Sequence, residues 1–276
     1  MVFFNKGIVS DCVKKFINSS LLKKIYFVLF LILIIYLICL GIAPANRIQK
    51  YHDMVINDSL FSVKYDSMYD HPEILPLLIE KTYKEALLKL SEQDSIQLIV
   101  NLHDSLVCLS IKGVIIHETH VNDILVDKVL RRLPGREFVK LFSQPIAVLS
   151  QTASIDKEPI VVRDAPKDSL EASLTAYKPD TLIQNPAFLM IRCDFGIKLI
   201  LEQYPNSGFH DKWVRFIFRS KLWIKNVLTS IVRFFSFRKQ EYNPTIIIKM
   251  PVDDLRAIYR ALPLKASVVL TYYPEL

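Results

Sequence analysis

The stretch SIQLIVNLHDSLVCLSIKGVIIHETHV, residues 95–121, contains three short apolar runs in immediate succession. The polar triplet at 103–105 separates the first run from the second, and Lys112-Gly113 separates the second from the third. Apolar runs of this length, bounded by Gly, Asp and Ser, are typical of β-strands joined by tight turns. We therefore predict a three-strand meander, and with it a sheet built mainly from antiparallel strands.

The chain beyond the meander predicts more strands, together with two helices. Helices are expected at 123–133 and 251–262, strands at 138–149, 160–163, 187–193, 197–203, 245–249 and 266–272, and loops at 151–158 and 164–186. The tripeptide Asp194-Phe195-Gly196 predicts the turn of a hairpin. These elements together predict an α+β domain with a mostly antiparallel sheet, residues 95–276.

On the amino side, IYFVLFLILIIYLICLGIA, Ile25 to Ala43, is nineteen residues long and has no charge and no proline. At 1.5 Å per helical residue this length spans a hydrocarbon core of roughly 30 Å, which predicts a transmembrane helix. A cleaved signal peptide is the alternative, because Ala43-Pro44-Ala45 resembles a small-residue cleavage site. An uncleaved signal anchor is the favoured interpretation. We expect no lipoprotein processing at Cys39.

Lysine placement predicts the orientation of this span. Five lysines precede it within residues 1–24, a basic amphipathic leader, whereas only Arg47 and Lys50 follow it closely. Positive residues favour the cytoplasmic side, so residues 46–276 are expected outside the cytoplasm, which is the periplasm if the source is a diderm bacterium. Residues 44–94 then form a linker, irregular over 46–71, and a connecting helix over 72–90. The expected location is the inner, or plasma, membrane.

A second basic and apolar stretch lies at 212–239, where no carboxylate occurs. At 100° per residue its large apolar side chains gather on one arc and most of its cations on the other, which predicts a long amphipathic helix. Four or more cations would lie inside the hydrocarbon if this helix crossed a bilayer, so a second span is disfavoured. Contact with an anionic membrane surface is one interpretation, through Trp213, Arg215, Arg219, Trp223 and Arg233. Packing of the apolar arc on the core, or binding of an acidic polymer or protein groove, are the others.

The distribution of charge argues against nucleic acid as a partner. The net charge is +7, yet residues 46–210 hold 22 Asp or Glu against 18 Lys or Arg. The aromatic residues of 212–239 are segregated from its cations, whereas single-strand binders expose stacking rings between cations. The partners expected are therefore the membrane and a protein or cell-wall component, with no nucleic acid.

No motif for catalysis or metal binding is complete. His117 and His120 are three residues apart on a predicted strand, whereas a zinc protease places two histidines four apart on a helix. We expect no metal site, no cofactor and no catalytic residue. Cys108 and Cys193 could form a disulfide outside the membrane, although buried free thiols are favoured because both lie in apolar strands.

Two pieces of the chain resemble L,D-transpeptidase catalytic domains, namely Ile99–Val121 as opening hairpins and Asp253–Leu270 as closing helix and strand. The resemblance implies a wall-associated fold. The His-Gly pair and the Ser-x-Gly-Cys motif that this family uses for catalysis are missing here, and nothing next to Cys193 supplies a base. The expected function is therefore that of a single-pass, non-enzymatic envelope protein that acts through protein, lipid or cell-wall contacts. A divergent cysteine-dependent peptidoglycan-modifying enzyme is the alternative.

Overall fold

The computed structural model of the chain describes residues 20–56, 69, 71–157, 186–204 and 208–273. The first element is helix α1, Ser20–Ile56, which contains Pro44. It continues well past the apolar run, so the prediction of irregular structure over 46–56 is wrong. Every fourth residue from Ala43 to Val55 is buried, and this stripe of one helix face packs on the domain: Ala43, Arg47, Tyr51 and Val55. Tertiary packing therefore stabilises this part of the helix, and the polar composition of residues 46–56 does not reveal that packing.

Five α-helices and nine strands follow α1 in the described residues. The helices are α2 (Leu75–Ser91), α3 (Lys128–Arg131), α4 (Gly135–Phe142), α5 (Phe209–Phe235) and α6 (Val252–Ala261). The strands are β1 (Gln97–Asn101), β2 (Leu106–Ile111), β3 (Val114–His120), β4 (Asp123–Val126), β5 (Ile146–Ala153), β6 (Phe188–Cys193), β7 (Lys198–Gln203), β8 (Thr245–Met250) and β9 (Ser267–Thr271). The meander, the β6–β7 hairpin, the connecting helix and the closing strand–helix–strand unit are confirmed.

The nine strands form one mixed sheet in the order β3-β2-β1-β9-β5-β6-β7-β8-β4. Two pairs are parallel, β1 with β9 and β7 with β8, and the other six are antiparallel. Strand β5 pairs with β9 through Ile146 and Ala147, and with β6 through the residues that follow. It thus joins two halves, which we name sheet A (β3-β2-β1-β9) and sheet B (β6-β7-β8-β4). The α+β class with a mostly antiparallel sheet is confirmed.

Alternate side chains of sheets A and B share one apolar core. Leu98 and Val107 of sheet A belong to the same buried cluster as Leu199 and Ile248 of sheet B. The opposite faces form two smaller clusters: α2 covers Ile99 and its neighbours on sheet A, and α5 covers Phe188, Met190 and Ile200 on sheet B. The period-two alternation explains this arrangement, because successive strand residues point to opposite faces. Helix α5 therefore lies on the outside of sheet B.

Two element predictions are wrong. The helix expected at 123–133 is instead strand β4 followed by the short helix α3, since 123–126 pairs with β8 at the sheet edge. The strand expected at 138–149 begins as helix α4, because Phe138, Leu141 and Phe142 recur at helical spacing and bury one face. Strand β5 also extends into the loop expected at 151–158. The strand predicted at 160–163, most of the 164–186 loop and nearly all of the leader lie outside the described residues.

Candidate membrane-facing surface

Helix α1 is the one helix in the described part of the chain that is long and apolar enough to cross a membrane, from Lys23 to Ile56. Most of its large apolar side chains between Ile25 and Ile42 are exposed. An exposed, uncharged helical surface of this length suits hydrocarbon.

Buried contacts fix the place where α1 leaves its apolar run. Arg47 donates hydrogen bonds to the carbonyl of Tyr242 (2.5 Å) and to Oδ1 of Asn243 (2.8 Å). The hydroxyl of Tyr51 donates to the carbonyl of Phe195 at 2.9 Å. Gly196 packs against the Arg47 guanidinium so closely that a Cβ there would lie 2.5 Å from Nη2. The β6–β7 turn and the strand β8 entrance are therefore clamped onto α1.

Helix α5 packs on sheet B through a mixed face of apolar and polar side chains. The carboxylate of Glu202, 1% exposed, accepts two hydrogen bonds from Arg219 Nη2 at 2.8 Å. Asp211 accepts from the side-chain amide of Gln203 at 2.5 Å. Phe218 is the one large apolar side chain that α5 buries fully, stacked on Phe188.

The apolar arc of α5 consequently faces outward. Trp213 is 52% exposed and Trp223 is 66% exposed. The other strongly exposed apolar residues of the helix are Phe209, Phe216, Ile224, Leu228, Ile231, Val232 and Phe235. The interpretation in which this arc covers the core is therefore wrong, since the helix meets sheet B through Val214, Phe218 and Leu222 and through the polar contacts on that same side. A contiguous exposed apolar stripe of this kind marks a surface for lipid or protein.

The five residues predicted to meet the membrane divide into two groups. Trp213 and Trp223 lie on the exposed arc. The three arginines make contacts within the protein: Arg215 to the carbonyl of Gln203 and over the ring of Phe188, Arg219 to Glu202, and Arg233 to Glu241 at 2.7 Å. Arg219 nevertheless stays 53% exposed beside its carboxylate partner, and the other exposed cations of the helix are Lys212, Lys221 and Lys225. This division was not predictable from the sequence, because a helical wheel does not tell which cations meet a partner within the protein.

The carboxyl end of α5 contacts α1 within its apolar run. The hydroxyl of Tyr36 donates to Ser230 Oγ at 3.2 Å, and its ring meets Phe234 edge-on at 5.3 Å. The side-chain amide of Gln240 forms hydrogen bonds with the hydroxyl and the carbonyl of Ser230. Three residues later, Asn243 accepts a hydrogen bond from Arg47. Residues 240–243 thus run beside α1 from Tyr36 toward Arg47, and α5 runs the opposite way.

Tyr36 precedes Ala43 by seven residues, which corresponds to about 10 Å of helix. The last turn of α5 and the residues after it therefore lie alongside the apolar run rather than above it. Phe237, just beyond this turn, is 99% exposed. We name Phe234–Phe237 the apolar tip.

The cysteines have the environment of inert thiols. Burial, followed by the charge of Asp194, raises the pKa of the Cys193 thiol to about 12. Burial, followed by the charge of Glu118, raises the pKa of Cys108 as well. Cys193 belongs to the core between the sheets and Cys108 to the cluster under α2, and both are free, so the preference for buried thiols is confirmed.

The predicted strand histidines also have plain structural surroundings. His117 lies 3.2 Å from the carboxylate of Asp254, and His120 is exposed. Among the described residues no group of His, Cys, Asp and Glu could hold a metal ion.

Comparison with known proteins adds no relative. No family model, no curated protein and no solved structure matches this chain. The resemblance to L,D-transpeptidase domains stays a prediction.

Proposed function

We propose that this chain is a non-enzymatic envelope protein, anchored in the inner or plasma membrane by α1 with its amino terminus in the cytoplasm. The lysine-rich leader supports this orientation through the positive-inside rule. The domain on the outer side would work through contacts with lipid, protein or cell wall. The buried, high-pKa Cys193 thiol supports a non-enzymatic role, because the thiolate is the reactive form of cysteine.

The single observation that carries the proposal is the contact between the end of α5 and Tyr36. If Ala43 marks the outer edge of the hydrocarbon, the apolar tip lies within the outer leaflet. Because α5 runs opposite to α1, Trp223 lies about 10 Å back along the helix from Ser230, at the level of Ala43. That level is the membrane interface, where tryptophan is enriched.

Charged neighbours agree with this placement of Trp223. Lys221 and Lys225 are exposed beside it, where they would meet headgroup phosphates. Arg238 and Lys239 follow the apolar tip and favour a locally thinned leaflet around it, because charges draw headgroups and water toward them. Trp213 lies about 15 Å farther out along α5 and would stay in water. The helix thus stands on the membrane with one end inserted, instead of lying flat on it.

Depth-dependent quenching of the two tryptophans tests this arrangement. The full chain is reconstituted in neutral vesicles as Trp213→Phe, which leaves Trp223, and as Trp223→Phe, which leaves Trp213. Lipids brominated near the headgroup should quench Trp223 strongly and Trp213 weakly. Equal quenching of both would indicate a helix lying flat, and quenching of neither would remove the lipid contact from the proposal.

A further inference from the structure

Two cations lie directly opposite each other under the carboxyl half of α5. Arg192 on β6 and Lys198 on β7 are cross-strand partners in an antiparallel pair, on the face of sheet B that α5 covers. Like charges in this position repel each other. Such a pair destabilises the fold unless a nearby anion neutralises its charge.

Within the described part of the chain, no carboxylate forms an ion pair with either residue. Lys198 is only 8% exposed, and its ammonium donates to the neutral amide oxygen of Asn226 at 3.3 Å. Nε of Arg192 is buried and has no hydrogen-bond partner among the residues that the structure describes. The two carboxylates that contact α5 through ion pairs have other partners, since Arg219 binds Glu202 and Arg233 binds Glu241.

A third cation adds to the positive potential. Burial, then the charges of Arg192 and Arg47, lower the pKa of Lys198. Arg47 itself binds two carbonyls and an amide, and no carboxylate of the described ranges forms an ion pair with it. Asp194, on the turn beyond Cys193, is the nearest acidic residue along the chain, and it forms no ion pair with these three cations among the described contacts.

The level of these cations relative to the membrane indicates which anion they meet. Arg47 follows Ala43 by four residues, about 6 Å along α1. If the hydrocarbon ends near Ala43, this is the layer of the lipid phosphates. Arg192 is half-buried, and it lies with Arg47 close enough to Lys198 for both charges to act on the lysine.

We infer that Arg192 and Lys198, with Arg47 behind them, form a binding site for the phosphate of an anionic lipid headgroup in the leaflet from which α1 emerges. The inference rests on the proposed function for the level of the leaflet. An arginine presents a planar set of donors that matches phosphate oxygens, and a lysine adds a compact charge. The phosphate would relieve the repulsion between β6 and β7 and replace Asn226 as the acceptor for Lys198.

The test follows the thermal stability of the full chain in neutral detergent micelles. Three additions are titrated at constant ionic strength: short-chain phosphatidylglycerol, short-chain phosphatidylcholine and inorganic phosphate. Phosphatidylglycerol should raise the Tm saturably and at the lowest concentration of the three. Arg192→Gln should raise the half-saturating concentration roughly fivefold, and adding Lys198→Met should raise it further. Lys265→Gln, which removes an exposed charge elsewhere, should leave it unchanged.

The outcomes separate this inference from its alternatives. Equal stabilisation by inorganic phosphate would overturn the lipid assignment in favour of a free anion. An unchanged half-saturation in Arg192→Gln, whose side chain is half-buried and whose loss the fold tolerates better than that of Lys198, would overturn the site. If phosphatidylglycerol does not stabilise the chain but headgroup-brominated lipids still quench Trp223 in neutral vesicles, the headgroup site is refuted and the membrane contact of α5 is retained. Success here without that quenching would refute only the placement of the apolar tip.

Discussion

Gly196 has a φ of +72°, a backbone conformation that residues with a side chain rarely adopt. Its Cα also faces the guanidinium of Arg47 at close range. Gly196→Ala should lower the free energy of unfolding by about 2 kcal/mol, from backbone strain and displacement of Arg47. Chemical unfolding in detergent, followed by circular dichroism, measures this loss. Gly208→Ala is the matched control, because a Cβ there meets nothing within 4 Å; its cost should stay below about 1 kcal/mol. Equal losses in the two variants would mean that the turn does not depend on this approach to Arg47.

The Cys193 thiol should resist alkylation in the folded chain. With a pKa of about 12, about one thiol in ten thousand is ionised at pH 8. Maleimide treatment at pH 8, followed by mass spectrometry of peptides, should label Cys193 only after unfolding. Because the folded pKa lies above the ordinary value of 9.0, the thiol's contribution to stability is present below pH 9 and falls as the pH rises toward 12. Rapid labelling of the native chain would reopen the cysteine-enzyme alternative.

At the scale of elements, α5 depends on a buried carboxylate for its seat on sheet B. Glu202→Gln should cost about 2 kcal/mol of stability, since it weakens the paired hydrogen bonds to Arg219 and leaves polar groups poorly matched. Glu241→Gln breaks the more exposed pair with Arg233 and should cost less than about 1 kcal/mol. Thermal unfolding of the two variants beside the parent measures both effects. A larger loss in Glu241→Gln would show that α5 is held mainly at its carboxyl end.

The elements also show which parts of the fold are predictable from residues. Strands β1 to β3 were predicted because apolar runs and turn residues are local signals. The outward direction of the α5 apolar arc was not predictable, because it depends on Glu202, seventeen residues before Arg219. A helical wheel describes two faces but does not say which face meets a sheet whose outer side carries polar groups. The extension of α1 to Ile56 was missed for the same reason, since Tyr51 and Val55 are buried by residues distant in sequence.

At the scale of the whole molecule, span and domain are one continuous structure. The same helix that carries the apolar run places Arg47, Tyr51 and Val55 against the domain. The domain therefore has a fixed position relative to the apolar run of α1, which is what brings the apolar tip beside Tyr36. The sequence predicted an anchor, a linker and a separate domain. In the structure residues 44–56 are not a linker, because they continue the helix and pack against the domain.

This continuity makes the outer segment of α1 part of the domain core. Burial of Tyr51 and Val55 contributes roughly 2 kcal/mol each, apart from the hydrogen bonds of Arg47. A fragment of residues 43–276 should therefore fold in neutral detergent, whereas one of residues 57–276 should unfold at much lower denaturant or aggregate. Circular dichroism during urea unfolding compares them. Equal midpoints would mean that α1 is only a tether, and the apolar tip would then have no fixed depth in the membrane.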